Sequence, residues 1–115
     1  MYKALYETIA RDSGLNYRRI EHDILISAVR EIQSAIEIDP RSIEAIKACA
    51  TMQNIWAILV IDVMSDNNKL PIELRAQIIS VGIWIQREIS DIMAGNSDNF
   101  VGVIEITQII ADGLV

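Results

Sequence analysis

The chain lacks most of the groups on which chemistry is usually built. Its 115 residues include one cysteine, Cys49, and one histidine, His22. A single cysteine excludes an intramolecular disulfide, which fits a reducing compartment. One His with one Cys cannot supply a typical zinc ligand set. Five glycines and two prolines leave few turn positions, which favours long regular elements over a turn-rich β protein. No phosphate-cradling glycine loop and no dinucleotide fingerprint is present. Basic residues run out at Arg87, while Glu88, Asp91, Asp98, Glu105 and Asp112 follow it. With a net charge of -6, the chain repels a phosphate backbone, and most strongly through its C-terminal third. The first residues, Met-Tyr-Lys-Ala-Leu-Tyr-Glu, have no continuous apolar core of the kind a signal peptide needs. The longest unbroken apolar run is Ile55 to Ile61, far short of the roughly 20 residues that span a bilayer. These absences lead us to expect a cytoplasmic protein with no membrane insertion and no direct nucleic-acid contact. They also lead us to expect no cofactor, no metal and no catalytic residues.

What is present is a helical pattern. Hydrophobic residues make up 51 % and charged residues 23 %, enough for one domain over residues 1–115 with its own core. The expected fold is all-α, a compact bundle of about four long helices plus a short N-terminal one. Tyr2, Leu5, Tyr6 and Ile9 suggest the short helix, and Ser13-Gly14 breaks it. Asn16 is an N-cap for the next helix. There Tyr17, Ile20, Ile24, Ala28, Ile32 and Ala35 form a stripe opposite Arg18, Glu21, Arg30 and Glu37. Asp39-Pro40 signals a further helix start, and the pattern runs to about Met64. One face of that helix reads Ile43, Ile46, Ala50, Gln53, Ala57, Val60 and Met64, yet Ile55, Trp56, Ile58, Leu59 and Ile61 cover its other sides. A helix apolar on most sides is the centre of a bundle or half of an oligomer interface. Ser65 to Lys69 is a polar turn, and Pro71 fits the first turn of the following helix. Gly82 lies mid-helix, where a close helix crossing is the usual reason for it. Gly95 stops that helix. Ser97 or Asn96 caps the last one, which Gly113 ends.

Each chemically suggestive residue has a structural reading beside it. His22 sits on a polar face between Glu21 and Asp23 with no nucleophile implied nearby. Cys49 lies in an uncharged segment, unlike the electropositive setting of reactive thiols. Arg18-Arg19 is the only basic doublet, diluted by Glu21 and Asp23. Asp62 follows seven apolar residues, so it either reaches solvent or has a partner. Arg75, one turn into the next helix, offers either an ion pair with Asp62 or a helix cap. Trp56 and Trp84 are expected in the core. Excess apolar surface then remains as the feature with functional meaning. We assign Ile83, Phe100, Val103, Ile104 and Leu114 to a partner-binding face, with a homodimer as a further use of such a surface.

The ordered set Asn54-Ile-Trp56, Asp62, Asn68-Lys-Leu70-Pro71, Leu74-Arg75-Ala76, Ser80 and Trp84 resembles the FlaF family of flagellar biosynthesis regulators of alphaproteobacteria. The ending Ile110-Ala-Asp-Gly113-Leu114 is similar too. The resemblance implies a cytoplasmic, non-enzymatic protein that binds flagellin before export and couples its synthesis to secretion. It implies flagellin as partner, and a working relation with the translational regulator FlbT. The alternative it leaves open is an adaptor that controls flagellin translation through FlbT without itself binding flagellin. Flagellin's ends are amphipathic segments that pack as helices only in the filament. A chaperone for them would bury one such segment against the third to fifth helices of the expected five.

Overall fold

The computed structural model describes the backbone of residues 14–115 and the side chains of residues 17–115. The expected short N-terminal helix lies outside the described residues. Four helices follow: α1 (Gly14–Ile38), α2 (Ile43–Met64), α3 (Ile72–Met93) and α4 (Phe100–Gly113). The all-α expectation holds, and no strand occurs among the described residues. Each helix packs on the next and α4 returns to α1, so the four close into a ring. Short connections between packed neighbours make consecutive helices antiparallel.

The helix starts differ from the expected ones for local reasons. Asn16 lies inside α1, which already begins at Gly14. Asp39-Pro40 does not start α2. Asp39 instead accepts a hydrogen bond from the Arg41 amide at 2.9 Å, and Ser42 is the true cap, accepting from Ala45 N–H at 3.1 Å. Asn99, not Ser97 or Asn96, caps α4 by accepting from Gly102 N–H at 3.0 Å. In both places a turn that bonds itself moves the start two or three residues downstream. Pro71 is the N-cap of α3, and Gly95, at φ 81°, turns the chain out of it.

The core faces also sharpen the expectations. In α1, Leu25, Ala28, Val29, Ile32 and Ala35 are buried, much as the stripe predicted. Glu21 is the exception. The pattern puts it on the polar face, but it is buried, and no buried side-chain nitrogen or oxygen among the described residues lacks a partner. In α2 the buried face is Ala45, Ala48, Cys49, Met52, Ile55, Trp56, Leu59 and Val63. The expected face, from Ile43 to Met64, points mostly outward. Periodicity cannot choose a face on a helix that is apolar all round.

Trp56 is completely buried. Its indole N–H donates to Thr107 Oγ1 at 3.1 Å, which links α2 to α4 across the diagonal of the ring. Thr107 in turn directs its hydroxyl at Met52 Sδ, 3.9 Å away. On another side of Trp56 lies Gly82 of α3. A Cβ built there would overlap Val60 Cγ2 and come within 3.4 Å of the Trp56 ring. The glycine is thus what lets α3 lie directly on α2, as its mid-helix position suggested. Gln53 and Gln86 fix the same crossing. Each donates its side-chain amide to the other's backbone carbonyl, at 3.1 and 2.7 Å.

Three outcomes follow from this core. Gly82→Ala gains helix propensity of about 1 kcal/mol, but the stiff, β-branched Val60 cannot swing away. We expect a net loss of about 1–2 kcal/mol in guanidinium unfolding. Adding Val60→Ala should then cost less than it does in the parent chain. Thr107→Val strands a buried indole N–H and should cost about 1–3 kcal/mol, with Thr107→Ser costing less. Cys49 is buried, which pushes its thiol from 9.0 up to about 11. The folded state therefore favours the neutral thiol. Its contribution is level below pH 9 and is lost as pH rises toward 11. A disulfide reagent at pH 8 should react slowly with the native protein and quickly once it is unfolded.

Candidate partner-binding site

The α2–α3 turn holds most of the residues that carry the family resemblance, and it is built for geometry. Asp62 Oδ2 accepts from the Tyr17 hydroxyl and from Asn68 Nδ2, both at 2.9 Å. Asn68 Oδ1 accepts from the Leu70 amide at 3.0 Å, so the carboxylate shapes the turn through Asn68. Arg75 donates from Nε to the Val63 carbonyl at 2.8 Å and from a terminal nitrogen to that of Ser65 at 3.0 Å. It closes the carbonyl end of α2, where a cation is favoured. The two residues brace one turn from opposite sides. No Asp62–Arg75 ion pair forms; of the two expected roles, the structure takes the cap. Leu70 is buried beneath this turn, Leu74 is half-buried, and Pro71 and Asn54 are exposed.

The other end of the bundle is tied by Arg41. It donates to the Ile92 carbonyl at 3.2 Å and pairs with Asp98. Beside it a cavity of about 270 Å³ is lined by Ile46, Cys49, Met93 and Phe100 among others. With its guanidinium already engaged, the cavity offers no free charge to a ligand. His22 lies within 3.0 Å of Asp23 and 4.0 Å of Asp112, two exposed carboxylates with no nucleophile between them. Among the described residues no group of three or more His, Cys, Asp or Glu is placed to hold a metal. The arrangement provides shape and apolar contact, and the candidate site is a binding surface.

Of the five residues assigned to a partner face, the core claims four. Phe100, Val103, Ile104 and Leu114 are all buried, because α4 turns its larger apolar side inward between α1 and α3. Ile83 alone is exposed. Trp84 corrects the opposite expectation. It is 42 % exposed and forms, with Ser80, Val81 and Ile106, the walls of an apolar depression of about 280 Å³ between α3 and α4. Those two helices make the slightest of the four contacts in the ring. They run antiparallel, with Leu74 beside Gly113 at one end and Glu88 bonded to Ser97 at the other. Ile109, one turn on from Ile106, is exposed as well. Glu105 and Asp112 are exposed on the same helix, so its outer surface is acidic. Val81 and Ile106 could not be singled out from the sequence. The available signal was Trp84 itself, whose neighbours at i−4 and i−3 are a small residue and an apolar one.

α2 has a further property. By length and composition it is the one helix among the described residues that could cross a membrane. One of its faces fills the bundle core.

No curated protein and no solved structure matches the chain. The model of the family described as flagellar protein FlaF matches residues 2–114. That match spans the turn around Asp62 and Arg75, the Trp56–Gly82 crossing and both walls of the α3–α4 groove, and on it the chain belongs to the FlaF family of flagellar proteins.

Proposed function

We propose that this flagellar protein acts by binding, without catalysis, as a cytoplasmic chaperone that holds flagellin before export and couples its synthesis to secretion. The observation that carries the reading is Trp84, a large aromatic side chain left half in solvent over an apolar groove. Monomeric proteins rarely leave such patches without a use. A groove between two helices suits an amphipathic helix laid into it with apolar side chains at i and i+3 or i+4. The depression over Val81 and Ile106 has room for one large apolar anchor. Glu105, exposed on α4, favours a segment with basic residues on its flank. Flagellin's end segments, which find their packing partners only in the filament, would be kept from assembling while one apolar side is covered.

The test is a binding titration between the purified protein and flagellin, with the Trp84→Ala variant beside the parent. Aromatic anchors in such grooves contribute about 2 kcal/mol or more. We therefore expect affinity to fall at least about 30-fold, with little change in thermal stability because Trp84 is already partly solvated. No detectable complex between folded parent protein and flagellin would reject the proposal. If the chain instead captured FlbT with flagellin absent, the adaptor role would take its place.

A further inference from the structure

The groove leaves the outer face of α2 unaccounted for. α1 turns Arg19, Asp23, Arg30 and Glu31 to solvent, as a surface helix should. Of its charged residues α2 turns only Glu44 and Lys47, near its start, to solvent. Between Ala48 and Ile61 it carries no charge at all, and its exposed residues include Ile43, Ile46, Ile61 and Met64. Ile61 is 70 % exposed, more than most isoleucines tolerate.

The order of residues along this face decides what it fits. From the N-terminal end it reads large, large, small, polar, small, large, large: Ile43, Ile46, Ala50, Asn54, Ala57, Ile61, Met64. Read backwards it gives the same classes. A helix with this stripe is complementary to itself when turned end for end. An axis beside Asn54 brings Ile43 of one copy to Met64 of the other, Ile46 to Ile61, and Ala50 to Ala57. The alanines lie seven residues apart and flank the axis, so the two backbones can approach closely at the centre. The isoleucines and Met64 fill the wider space toward the ends. Those pairs put the axis midway between Gln53 and Asn54, so the two Asn54 amides lie side by side across it and fix the register. Such a contact is isologous and closes as a two-fold dimer.

Charge points the same way. Two copies with a net charge of -6 each repel one another across most of their surfaces. The outer face of α2 is the long surface on which like charges do not meet. Its area is also adequate. The helix has 22 residues and is therefore about 33 Å long. Eight large apolar side chains, four from each copy, together with the alanines and Asn54, cover on the order of 1,000 Å² in total. That is near the lower bound for a specific interface.

We propose that the outer face of α2 is a homodimer interface, two copies of this chain packing antiparallel α2 to α2 about an axis beside Asn54. An interface of this size is expected to be weak, with dissociation in the micromolar range. Sedimentation equilibrium between about 1 and 200 µM brackets that range. The mass should rise from the 12.9 kDa of one chain toward twice that value. Ile61→Glu and Ala57→Glu place acids in the seam and should weaken association at least 100-fold, with the helical circular dichroism signal and melting temperature unchanged. Both positions are already exposed, so folding is not at stake. A second measurement needs no assumption about affinity. Asn54→Cys should form a disulfide-linked dimer under mild oxidation, while Gln108→Cys on exposed α4 should not. Buried Cys49 should give no background. A mass of one chain at every concentration would overturn the proposal, as would a dimer that persists in both acidic variants, or equal cross-linking at Asn54 and Gln108. Binding of flagellin by a monomer, lost in Ile61→Glu, would assign the face to the ligand and equally refute the dimer. The Trp84→Ala variant should dimerise normally, which keeps this test separate from that of the groove.

Discussion

The packing around Trp56 is the constraint on which the bundle depends. Its indole is the largest side chain at the centre and reaches no solvent. A buried ring of that size needs space on every side and a partner for its N–H. Thr107 supplies the partner from the diagonal helix. Gly82 supplies the space from the neighbouring one. The two conditions act on different helices, so one residue of α2 fixes the positions of both α3 and α4. Val60 beside the Gly82 backbone and the reciprocal glutamines one turn away hold the same crossing.

The turn between α2 and α3 serves that centre. For Gly82 to meet Trp56, the two helices must reverse direction in a defined register. Arg75 achieves this by donating to the Val63 and Ser65 carbonyls, and Asn68, held by the Asp62 carboxylate, by accepting from the Leu70 amide. An isolated ion pair at a half-exposed turn would add little stability. Bonds to main-chain atoms fix geometry, and geometry is what the crossing needs. This is why Trp56, Asp62, Asn68, Leu70 and Arg75, which carry much of the family resemblance, cluster at a turn and a crossing.

The four long helices, the turn at Ser65–Lys69, the role of Gly82 and the burial of Trp56 and Cys49 were legible in the sequence. Each is a local signal: a period, a breaker, an uncharged run. The true caps were not, because Asp39 and Ser97 are as good cap residues as Ser42 and Asn99, and only the folded turns select between them. The α2 core face was not, because a period of 3.6 identifies a face only when the opposite side is polar. The same ambiguity put four buried residues of α4 on the expected partner face. On α4, Phe100, Val103, Ile104 and Leu114 are the larger and more regular apolar set, and regular apolar sets are what cores take. Of the smaller, irregular remainder, Ile106 lines the groove and Ile109 is exposed. Trp84 was misjudged for a related reason. Aromatic bulk suggests burial, yet Ile85 next to it takes the core position, and the helix cannot turn both inward.

The closed ring also settles how the two outer surfaces relate. α2 and α4 are diagonal to each other and share no main-chain contact. The outer face of α2 therefore opens on one side of the molecule, and the groove between α3 and α4 opens on the far side of α3. A copy of the chain seated on α2 would leave Trp84 and Ile106 uncovered, so a dimer would present two grooves rather than block one. The charge distribution reinforces the separation. Basic residues end at Arg87, so α4 presents acids only, while the outer face of α2 presents almost no charge. An acidic outer surface on α4 would suit a partner of opposite charge, and a nearly neutral one on α2 would tolerate its own copy. One small bundle thus carries two apolar surfaces that differ in the charge around them.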